Sequence, residues 1–412
     1  MCKLQRVFEL QEDHSLQYYE KDGRLYIALE GRIDSNNAAG FDKEIAAALT
    51  ENAGAEPVFD VGGLEYISSA GLRVFMKVRK TAGKSITIEN ASPEVYDIFE
   101  VTGFTSLFNV KKKLREISVD GCEKIGEGGN GAVYRLDDDK IVKVYKPWMD
   151  FDDIDRERSF AKTAFVNGIP SVIAYDTVRV GDSLGIVFEM LKSDTLGHAI
   201  IAHPERFDEY MDKYVALAKT LHSTHVPEGS FTPVHEVLHK CIDNMTQWCS
   251  KEEIALLHRI ADSIPKADTI THNDLHPGNI MLQGDELVLI DMPEVTMGPP
   301  VCDMTSIYRD LIAAPSGEQK GSIEKSTGMP AEMCLRVGNE FFRRYYGLTD
   351  KQEVEGLYQK LGLLFAFNTV LTCGAGSEIA AKLAPYLMEK LLRPIVVPNE
   401  QTICYLFANF GK

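Results

Sequence analysis

The sequence predicts an α+β chain of several domains: a small α/β domain, then a β-rich lobe, then a large α-helical lobe. Three observations support this prediction. Strand and helix patterns alternate over roughly the first quarter of the chain, a glycine-rich stretch then lies between two strand patterns, and apolar residues at helical spacing dominate the second half. A chain of 412 residues has room for two or three domains. We place the domains at 1–113, 114–191 and 192–412.

The composition limits which partners the protein can have. The formal net charge is −17, whereas nucleic acid or an anionic membrane needs clustered Lys and Arg, so we expect neither as a partner. ATP stays compatible with this charge, since Mg2+ and a few local cations can offset it. The first residues lack a signal-peptide pattern, and no apolar run is long enough to span a bilayer. We therefore expect a cytoplasmic protein whose eight scattered cysteines are reduced.

The small domain is predicted from strand and helix patterns that follow one another in order. Residues 25–29 and 57–61 are short β-rich runs, and the second is apolar enough to be buried on both faces of a sheet. Residues 38–49, between them, carry apolar side chains four apart, as a helix does. Residues 86–88 read as another strand, and 93–99 as a helix that starts with proline.

A strand pattern ends and a helix pattern begins at Ser69, which gives this residue two interpretations. As the N-cap, its hydroxyl would accept a backbone N–H of the first helical turn. As a phosphorylation site, it would place a dianion at the positive end of the helix dipole. The residues alone favour the capping role.

Residues 15–110 resemble a STAS domain, the fold of bacterial anti-sigma-factor antagonists. In that family the serine at the helix start, here Ser69, is often phosphorylated by a partner kinase, and the unmodified form binds partners. An Asp often precedes that serine, where this chain has Ser68. The resemblance implies a regulatory or partner-binding module with Ser69 as a candidate phosphosite. It rests on Glu30-Gly31-Arg32-Ile33-Asp34, on Asp60-Val61 with Leu64, and on Ile67-Ser68-Ser69-Ala70-Gly71-Leu72.

The β-rich lobe begins with Gly126, Gly128 and Gly131 in the pattern G-x-G-x-x-G-x-V, which ends at Val133. Strand patterns flank these glycines, so they are predicted to form a turn whose backbone amides approach phosphates without side-chain obstruction. A dinucleotide-binding fold would need a helix directly after the glycines. A strand pattern follows instead, which excludes the nicotinamide interpretation.

Lys143 lies inside the next apolar strand pattern, where a lysine is costly unless it has a partner. We assign it to the α- and β-phosphates of a nucleotide. Its predicted partner is Glu157, on a helix that turns Phe160 and Ala164 inward. An exposed lysine on an edge strand and a solvated glutamate are the plainer alternative.

The rest of the chain is predicted from one more strand and a series of helices. The strand at 184–191 is expected to offer backbone groups of Glu189 and Leu191 to an adenine ring. Four histidines, His222, His225, His235 and His239, are expected at the surface or in the core, because they lack the spacing of a metal site. The helix patterns lie at 207–222, 234–248, 252–264, 331–346, 351–371 and 378–392.

The stretch that organises the chemistry contains Asp274 and Asn279, followed by Asp291 after an apolar run. Two carboxylates and an amide at these spacings suggest a magnesium–phosphate site, because Mg2+ prefers a few oxygen ligands and phosphoryl transfer needs cation placement and in-line positioning. Asp274 would be the base near the acceptor hydroxyl, and Asn279 and Asp291 would hold metal. Capping and turn roles are the alternative.

Residues 120–400 resemble the protein-kinase-like superfamily, and more closely its aminoglycoside and choline phosphotransferase branch. The resemblance implies a bilobal fold, Asp274 as catalytic base, Asn279 and Asp291 as metal ligands, and Lys143 as a phosphate ligand. It rests on His272-Asn273-Asp274-Leu275-His276-Pro277-Gly278-Asn279, which is similar to the H-G-D-L-H-P-G-N of that branch, and on Gly298-Pro299-Pro300 with Asp303, which is similar to its anchor for the catalytic loop.

Several residues depart from the protein-kinase pattern. Asn273 and His276 stand where protein kinases usually have Arg and Lys. The segment Asp291-Met292-Pro293 replaces Asp-Phe-Gly, and no Ala-Pro-Glu segment follows. These changes remove the usual activation-loop control and the peptide platform, and so favour a small-molecule acceptor.

We therefore expect an ATP- and Mg2+-dependent phosphotransferase that transfers the γ-phosphoryl group to an unidentified hydroxyl acceptor, with the STAS domain as a regulatory or partner-binding module. Asp274, Asn279 and Lys143 form the expected catalytic group. The alternative is a regulatory kinase that phosphorylates Ser69 of its own STAS domain or of a partner STAS protein. A non-catalytic nucleotide-binding scaffold is the weakest interpretation, because every charged group that the chemistry needs is present.

Overall fold

A computed structural model describes residues 8–9, 15–21, 23–82, 86–317, 320–375 and 378–410. The chain forms two compact units that meet in sequence between Glu116 and Ile117. Each unit is built around its own apolar clusters. The predicted α+β organisation, with a small α/β unit ahead of a larger one, is confirmed.

The first unit is a six-stranded sheet in the order β1-β2-β3-β4-β5-β6. Strands β2 and β3 pair antiparallel, whereas β3, β4, β5 and β6 pair parallel. Alternate residues of β3, Leu25, Ile27 and Leu29, are buried in the core, as the period of a strand with one covered face requires. The strands are β1 (Phe8–Glu9), β2 (Ser15–Lys21), β3 (Arg24–Ile33), β4 (Glu56–Ile67), β5 (Thr87–Ala91) and β6 (Asn109–Lys112), and the helices are α1 (Ala38–Glu51), α2 (Ser69–Ala82) and α3 (Pro93–Val101).

The start of helix α2 corrects one prediction about Ser69. The hydroxyl that accepts from the first turn belongs to Ser68, whose Oγ lies 3.2 Å from the amide of Ala70 and 3.4 Å from that of Gly71. Ser69 is already the first residue of the helix and is exposed. The capping interpretation of Ser69 was wrong by one residue, because the strand continues to Ile67 and leaves Ser68 at the non-helical position that a cap occupies.

A second sheet has the order β7-β11-β12-β10-β9-β8, and its strands β8 to β12 pair antiparallel and lie in the second unit. Helix α4 is inserted between β10 and β11, and it buries the predicted inward pair Phe160 and Ala164. The strands are β7 (Arg115–Glu116), β8 (Lys124–Glu127), β9 (Gly131–Arg135), β10 (Lys140–Tyr145), β11 (Ala174–Val180) and β12 (Ser183–Glu189), and the helix is α4 (Phe151–Val166).

The remainder of the second unit is mostly helical, with two small two-stranded sheets next to the site. Strand β13 (Ile270–Thr271) pairs with β16 (Thr296–Met297), and β14 (Ile280–Gln283) pairs with β15 (Glu286–Leu289). The helices are α5 (Leu196–Ala202), α6 (Phe207–Ser223), α7 (Val234–Asp243), α8 (Lys251–Asp262), α9 (Val301–Tyr308), α10 (Ala314–Ser316), α11 (Lys320–Thr327), α12 (Ala331–Tyr346), α13 (Lys351–Leu371), α14 (Glu378–Leu387) and α15 (Glu400–Asn409).

Two helices end five residues before their predicted ends, whereas the other predicted helix ends differ by two residues or fewer. Helix α7 stops at Asp243, where the next residue, Asn244, directs its side-chain amide to the carbonyl of Gly374 instead of continuing the pattern. Helix α14 stops at Leu387 and passes into a π-helical segment, Met388–Val396, that contains Pro394. A proline removes one helical hydrogen bond and so changes the local winding.

None of the helices in the described ranges is both long and apolar enough to cross a bilayer. Seven cysteines lie in those ranges, and all of them are unpaired thiols. Cys2, which the prediction of reduced cysteines also covers, lies outside the described residues.

Candidate active site

A cavity of about 290 Å³ lies in the second unit, between the glycine-rich stretch and Asn279, Ile290 and Asp291. One part of its wall is apolar, and the other part carries charged and amide side chains. The apolar lining consists of Val133, Ile141, Val172, Phe188 and Ile290. The polar lining consists of Glu127, Asn130, Lys143, Glu157, Asn279 and Asp291, together with Gly128, Gly129 and Gly131.

The glycine-rich stretch forms the tip of the hairpin between β8 and β9. The amide of Gly128 donates to the carbonyl of Gly131 at 2.9 Å, which closes the turn. A Cβ added at Gly131 would lie 2.2 Å from the carbonyl oxygen of Val144, so the neighbouring strand leaves no space for a side chain. Of the four predicted residues of this stretch, Gly128, Gly131 and Val133 line the cavity and Gly126 does not.

Lys143 makes the predicted ion pair with Glu157. Its Nζ lies 2.8 Å from Glu157 Oε1 and 2.6 Å from Asp291 Oδ1. The side chains of Lys143 and Glu157 are 17% and 4% exposed, so both charges are largely removed from water. Burial alone would lower the pKa of Lys143, but the two carboxylates outweigh it and raise that pKa. The ammonium group therefore stays charged at the polar end of the cavity.

Asp291 joins the Lys143–Glu157 pair from a distant part of the sequence, 148 residues after Lys143. Burial acts to raise the pKa of Asp291, yet the charge and the hydrogen bond of Lys143 lower it. The carboxylate is thus held in its ionised form. Its backbone has φ of 61°, in the left-handed region that Asp and Asn tolerate best among residues with a side chain.

The loop that carries Asp274 is fixed by a buried acid on helix α9. Asp303 is fully buried, and its carboxylate accepts the amide of His272 at 3.0 Å and also that of Asn273. The ring of His222, on helix α6, contacts the same carboxylate at 3.0 Å. Asp303 is therefore the anchor of this loop, in the place where the sequence predicted one.

Asn273 ties the same loop to the segment that follows Asp291. Its backbone has φ of 63°, and its side-chain amide donates to the carbonyl of Glu294 at 2.7 Å and to Thr296 Oγ1 at 2.9 Å. The segment is short, since strand β16 begins at Thr296 and helix α9 at Val301. Side-chain hydrogen bonds within the resting protein thus hold it in place.

Asp274 has both carboxylate oxygens engaged. Asn279 Nδ2 donates to Oδ2 at 2.8 Å and to the backbone carbonyl of Asp274 at 3.0 Å. Arg309 donates to Oδ1 at 2.6 Å. Asn279 also lines the cavity, so its amide oxygen can face a ligand while its nitrogen holds Asp274.

Three charged residues of this region were missed by the sequence prediction: Glu294, Arg309 and Asp310. Arg309 grips Asp310 with two hydrogen bonds, of 2.7 and 2.8 Å. Glu294 is an exposed residue, yet partial desolvation by the surrounding site, with the negative charge of Asp274 adding to it, raises its pKa to about 7. Their only sequence signal is charge within apolar surroundings, because none of them belongs to a spaced motif.

Four predicted residues of the active site lie outside the cavity lining: Gly126, Asp274, Glu189 and Leu191. The backbone amide of Glu189 donates to the carbonyl of Ile173, and the side-chain carboxylate of Glu189 accepts the backbone amide of Ile173 at 2.7 Å. Phe188, the residue before Glu189 on β12, faces the cavity instead. The expected contact of Glu189 and Leu191 with adenine stays a prediction.

The end of helix α11 packs closely against the loop that carries Asp274 and against helix α5, at positions where an added side chain would clash. A Cβ at Gly278 would lie 1.9 Å from the carbonyl oxygen of Ser326, and one at Gly197 would lie 1.8 Å from that of Thr327. Gly328 has φ of +70°, and a Cβ there would lie 2.4 Å from the ring of His198. We refer to Ser326, Thr327 and Gly328 as the α11 clamp.

The residues present fit a magnesium-bound nucleoside triphosphate. The apolar wall offers a surface for a base, the glycine turn offers backbone amides without side chains, and Lys143 offers a cation for phosphate oxygens. Asn279 and Asp291 offer an amide oxygen and a carboxylate, which are hard ligands of the kind that Mg2+ prefers.

Two family models match the chain. A model described as the phosphotransferase enzyme family, APH, matches residues 121–335, which is more than half of the chain. A model described as a Mlab, STAS domain matches residues 16–110. Both resemblances predicted from the sequence are confirmed.

Individual relatives match parts of the chain. The Bordetella bronchiseptica protein BtrV, named as an anti-sigma factor antagonist, is 40% identical over 93 residues, which is 22% of this chain and 78% of that protein. The solved gentamicin–APH(2'')-IIa complex has 16% identity and a TM-score of 0.44, covering 72% of this chain and 95% of that one. An anti-sigma factor antagonist from Mycobacterium paratuberculosis has 19% identity and a TM-score of 0.23, covering 25% of this chain and 90% of that one.

Proposed function

Because the chain belongs to the phosphotransferase enzyme family and carries a STAS domain ahead of that part, we propose that it transfers the γ-phosphoryl group of ATP to a hydroxyl of a small molecule, with Mg2+ as cofactor. The STAS domain is then a regulatory or partner-binding module. The observation that supports this proposal best is that Glu157, Lys143 and Asp291 contact one another in the wall of one cavity, and that Asn279, in the same wall, holds Asp274 beside it.

Each of these residues has a role that its contacts allow. Lys143, held by Glu157, binds phosphate oxygens. Asp274 accepts the proton of the acceptor hydroxyl, and general bases of this kind contribute about 10²–10⁴ to a rate. Asn279 orients Asp274 through its amide nitrogen. The glycine turn covers the phosphates with backbone amides.

Asn279 and Asp291 would hold the metal, because both line the cavity and both present oxygen atoms. When bound, Mg2+ supplies charge neutralisation on the phosphate oxygens. The chain itself supplies the cation of Lys143, the fixed carboxylate of Asp274 and an apolar wall that excludes water from the nucleobase.

A small-molecule acceptor is favoured by the segment between Asp291 and helix α9. It runs only from Met292 to Pro300, and Asn273 fixes its middle through Glu294 and Thr296. So short a segment leaves no extended platform on which a peptide could lie. Phosphorylation is also not required to order it, because neutral side-chain hydrogen bonds already do so.

The proposal is tested with the full chain, MgATP and a set of hydroxyl compounds, with ADP formation as the readout. We expect Asp274→Asn to lose about 10³-fold in turnover, while calorimetric binding of MgADP stays as in the wild type. Asp182→Asn, in the exposed turn between β11 and β12, is the matched control and should keep full activity. An active Asp274→Asn variant would contradict the proposal.

A second candidate function is favoured by the position of Ser69. This residue is exposed at the first turn of α2, and the cap is supplied by Ser68, so modification of Ser69 would not break the cap. In this alternative the phosphotransferase part phosphorylates Ser69 of its own or of a partner STAS domain. Phosphosite mapping by mass spectrometry after incubation with MgATP distinguishes the two, with Ser69→Ala as the control. Label at Ser69 that disappears with Asp274→Asn would support the alternative.

A further inference from the structure

Arg309 lies directly after helix α9 and links two acids of the candidate site. Its Nε and one terminal nitrogen hold the two oxygens of Asp310 at 2.7 and 2.8 Å, so this pair is bidentate. The same terminal nitrogen lies 2.6 Å from Asp274 Oδ1. Thirty-five residues separate Arg309 from Asp274 in sequence, so the tertiary fold, and not the local chain, brings them together.

The local backbone explains how one short segment supplies both halves of this contact. Residues Arg309–Ala313 form a π-helical segment between α9 and α10. Single π-helical turns inside helices are uncommon and are often found at functional sites. Asp310 is buried, and it fixes the guanidinium plane through the bidentate grip. Arg309 therefore reaches Asp274 in one orientation.

The hydrogen-bond capacity of Asp274 shows that this contact leaves room for chemistry. An ionised carboxylate has about four lone-pair positions. Arg309 uses one on Oδ1, and Asn279 uses one on Oδ2. Oδ1 keeps a further position for an acceptor hydroxyl, whereas His276 Nε2 lies 3.6 Å from Oδ2. The contact therefore fixes the plane of the carboxylate without blocking it.

We propose that Arg309, held by Asp310, is a positioning residue that fixes the Asp274 carboxylate for proton transfer from the acceptor. This inference rests on the proposed function. In the step concerned, the acceptor O–H bond breaks and its proton passes to Asp274, a bond forms between the acceptor oxygen and the γ-phosphorus, and the bond from the γ-phosphorus to the bridging oxygen breaks with its electron pair leaving on ADP. Asn279 and Arg309 together hold the base on its two sides.

The test uses the full chain with MgATP and water as the acceptor, read as phosphate release. We expect Arg309→Ala to lower turnover about a hundredfold, as misplacement of a catalytic group does, while KM for MgATP and the calorimetric affinity for MgADP stay unchanged. Millimolar guanidinium added to Arg309→Ala should restore at least part of the lost turnover. Arg343→Ala is the control, because it removes a bidentate arginine–carboxylate pair with Glu340 on helix α12, away from the site. It should show neither the loss of turnover nor the rescue by guanidinium.

The outcomes separate positioning from a merely structural tie. Wild-type turnover in Arg309→Ala would overturn the inference. A second set of results would also overturn it: Arg309→Ala loses turnover that guanidinium does not restore, Arg309→Lys, which keeps the charge, loses as much, and both variants bind MgADP more weakly. If instead wild-type protein releases no phosphate and Asp274→Asn gives the same background, the proposed function itself fails.

Discussion

Two residues of the site, Asn273 and Asp291, have left-handed backbones, with φ of 63° and 61°. Such a conformation costs most side chains free energy, and Asn and Asp are the residues other than glycine that tolerate it best. In return, each side chain gains a specific contact: Asn273 with Glu294 and Thr296, and Asp291 with Lys143. The backbone at both positions therefore contributes to the placement of the charges.

The Lys143–Glu157 pair predicts a double-mutant result. Lys143→Met leaves the buried Glu157 carboxylate without its nearest cation, and we expect the free energy of unfolding to fall by about 3 kcal/mol. Glu157→Gln should cost less, because Lys143 keeps Asp291 at 2.6 Å. The double variant should cost less than the sum of the two, measured by urea unfolding. Additive losses would mean that the two side chains do not interact.

Glu294 predicts a pH dependence of stability. Its pKa of about 7 in the folded protein is raised from 4.5, so between these values the folded state keeps a proton that the unfolded state has lost. The free energy of unfolding contributed by this group therefore falls as pH rises through that window. Glu294→Gln removes the effect, and it should melt at a higher temperature than wild type at about pH 8 but not at about pH 4. Glu286→Gln, at the exposed first residue of β15, is the control.

The sequence could predict residues that belong to spaced motifs and could not predict those that join the site through the fold. Asp274, Asn279 and Asp291 follow one another in a short stretch, and Lys143 is marked by charge inside an apolar strand. Arg309 gives no such signal, because its contact with Asp274 depends on how the π-helical segment packs. The raised pKa of Glu294 depends on partial desolvation and on the charge of Asp274, which the fold brings near it, and neither can be read from the residues next to it in sequence.

Among the elements, the glycine hairpin predicts a contrast between two neighbouring substitutions. Gly131→Ala would place a Cβ 2.2 Å from the carbonyl oxygen of Val144, and we expect it to lower stability by about 2 kcal/mol, as overpacking does. Gly129→Ala meets nothing within 4 Å and should be close to neutral. Thermal melting of both variants measures the difference. Equal losses would show that backbone freedom, and not space, requires these glycines.

The helices show which element boundaries a pattern can give. Helices α12 and α13 run over the residues that were predicted, because their ends coincide with turn and capping residues visible in the sequence: Gly347 and Asp350. Helix α7 ends early, because Asn244 finds a partner in Gly374, which is distant in sequence. The cap of α2 moves from Ser69 to Ser68 for a related reason, since adjacent serines cannot be told apart by composition.

At the scale of the whole molecule, the two compact units predict separable folding. Residues 1–116 and 117–412 each have their own apolar core. We expect the fragment 117–412, expressed alone, to bind MgADP and to turn over acceptors as the full chain does without a partner. Calorimetric melting of the full chain should show two transitions, each found again in one fragment. A fragment 117–412 that does not fold would contradict this prediction.

The order of domains was predictable because each has a different repeat of apolar residues. Alternation of strand and helix in the first unit, and long helical spacing after α5, are properties of residues close in sequence. The point at which one unit ends was less visible, because strand β7, at Arg115–Glu116, joins the second sheet although it directly follows the first. Sheet pairing between distant strands has no local signature.

The α11 clamp has a consequence for anyone who wishes to change the acceptor by random mutagenesis. An added Cβ at Gly197, Gly278 or Gly328 would lie 2.4 Å or less from a neighbouring atom, so we expect substitutions there to lower stability by about 1–3 kcal/mol each. Gly128 and Gly129 have open space instead. Variants at Gly128 and Gly129 should therefore be recovered from a selection, whereas glycine should be retained at Gly197, Gly278 and Gly328.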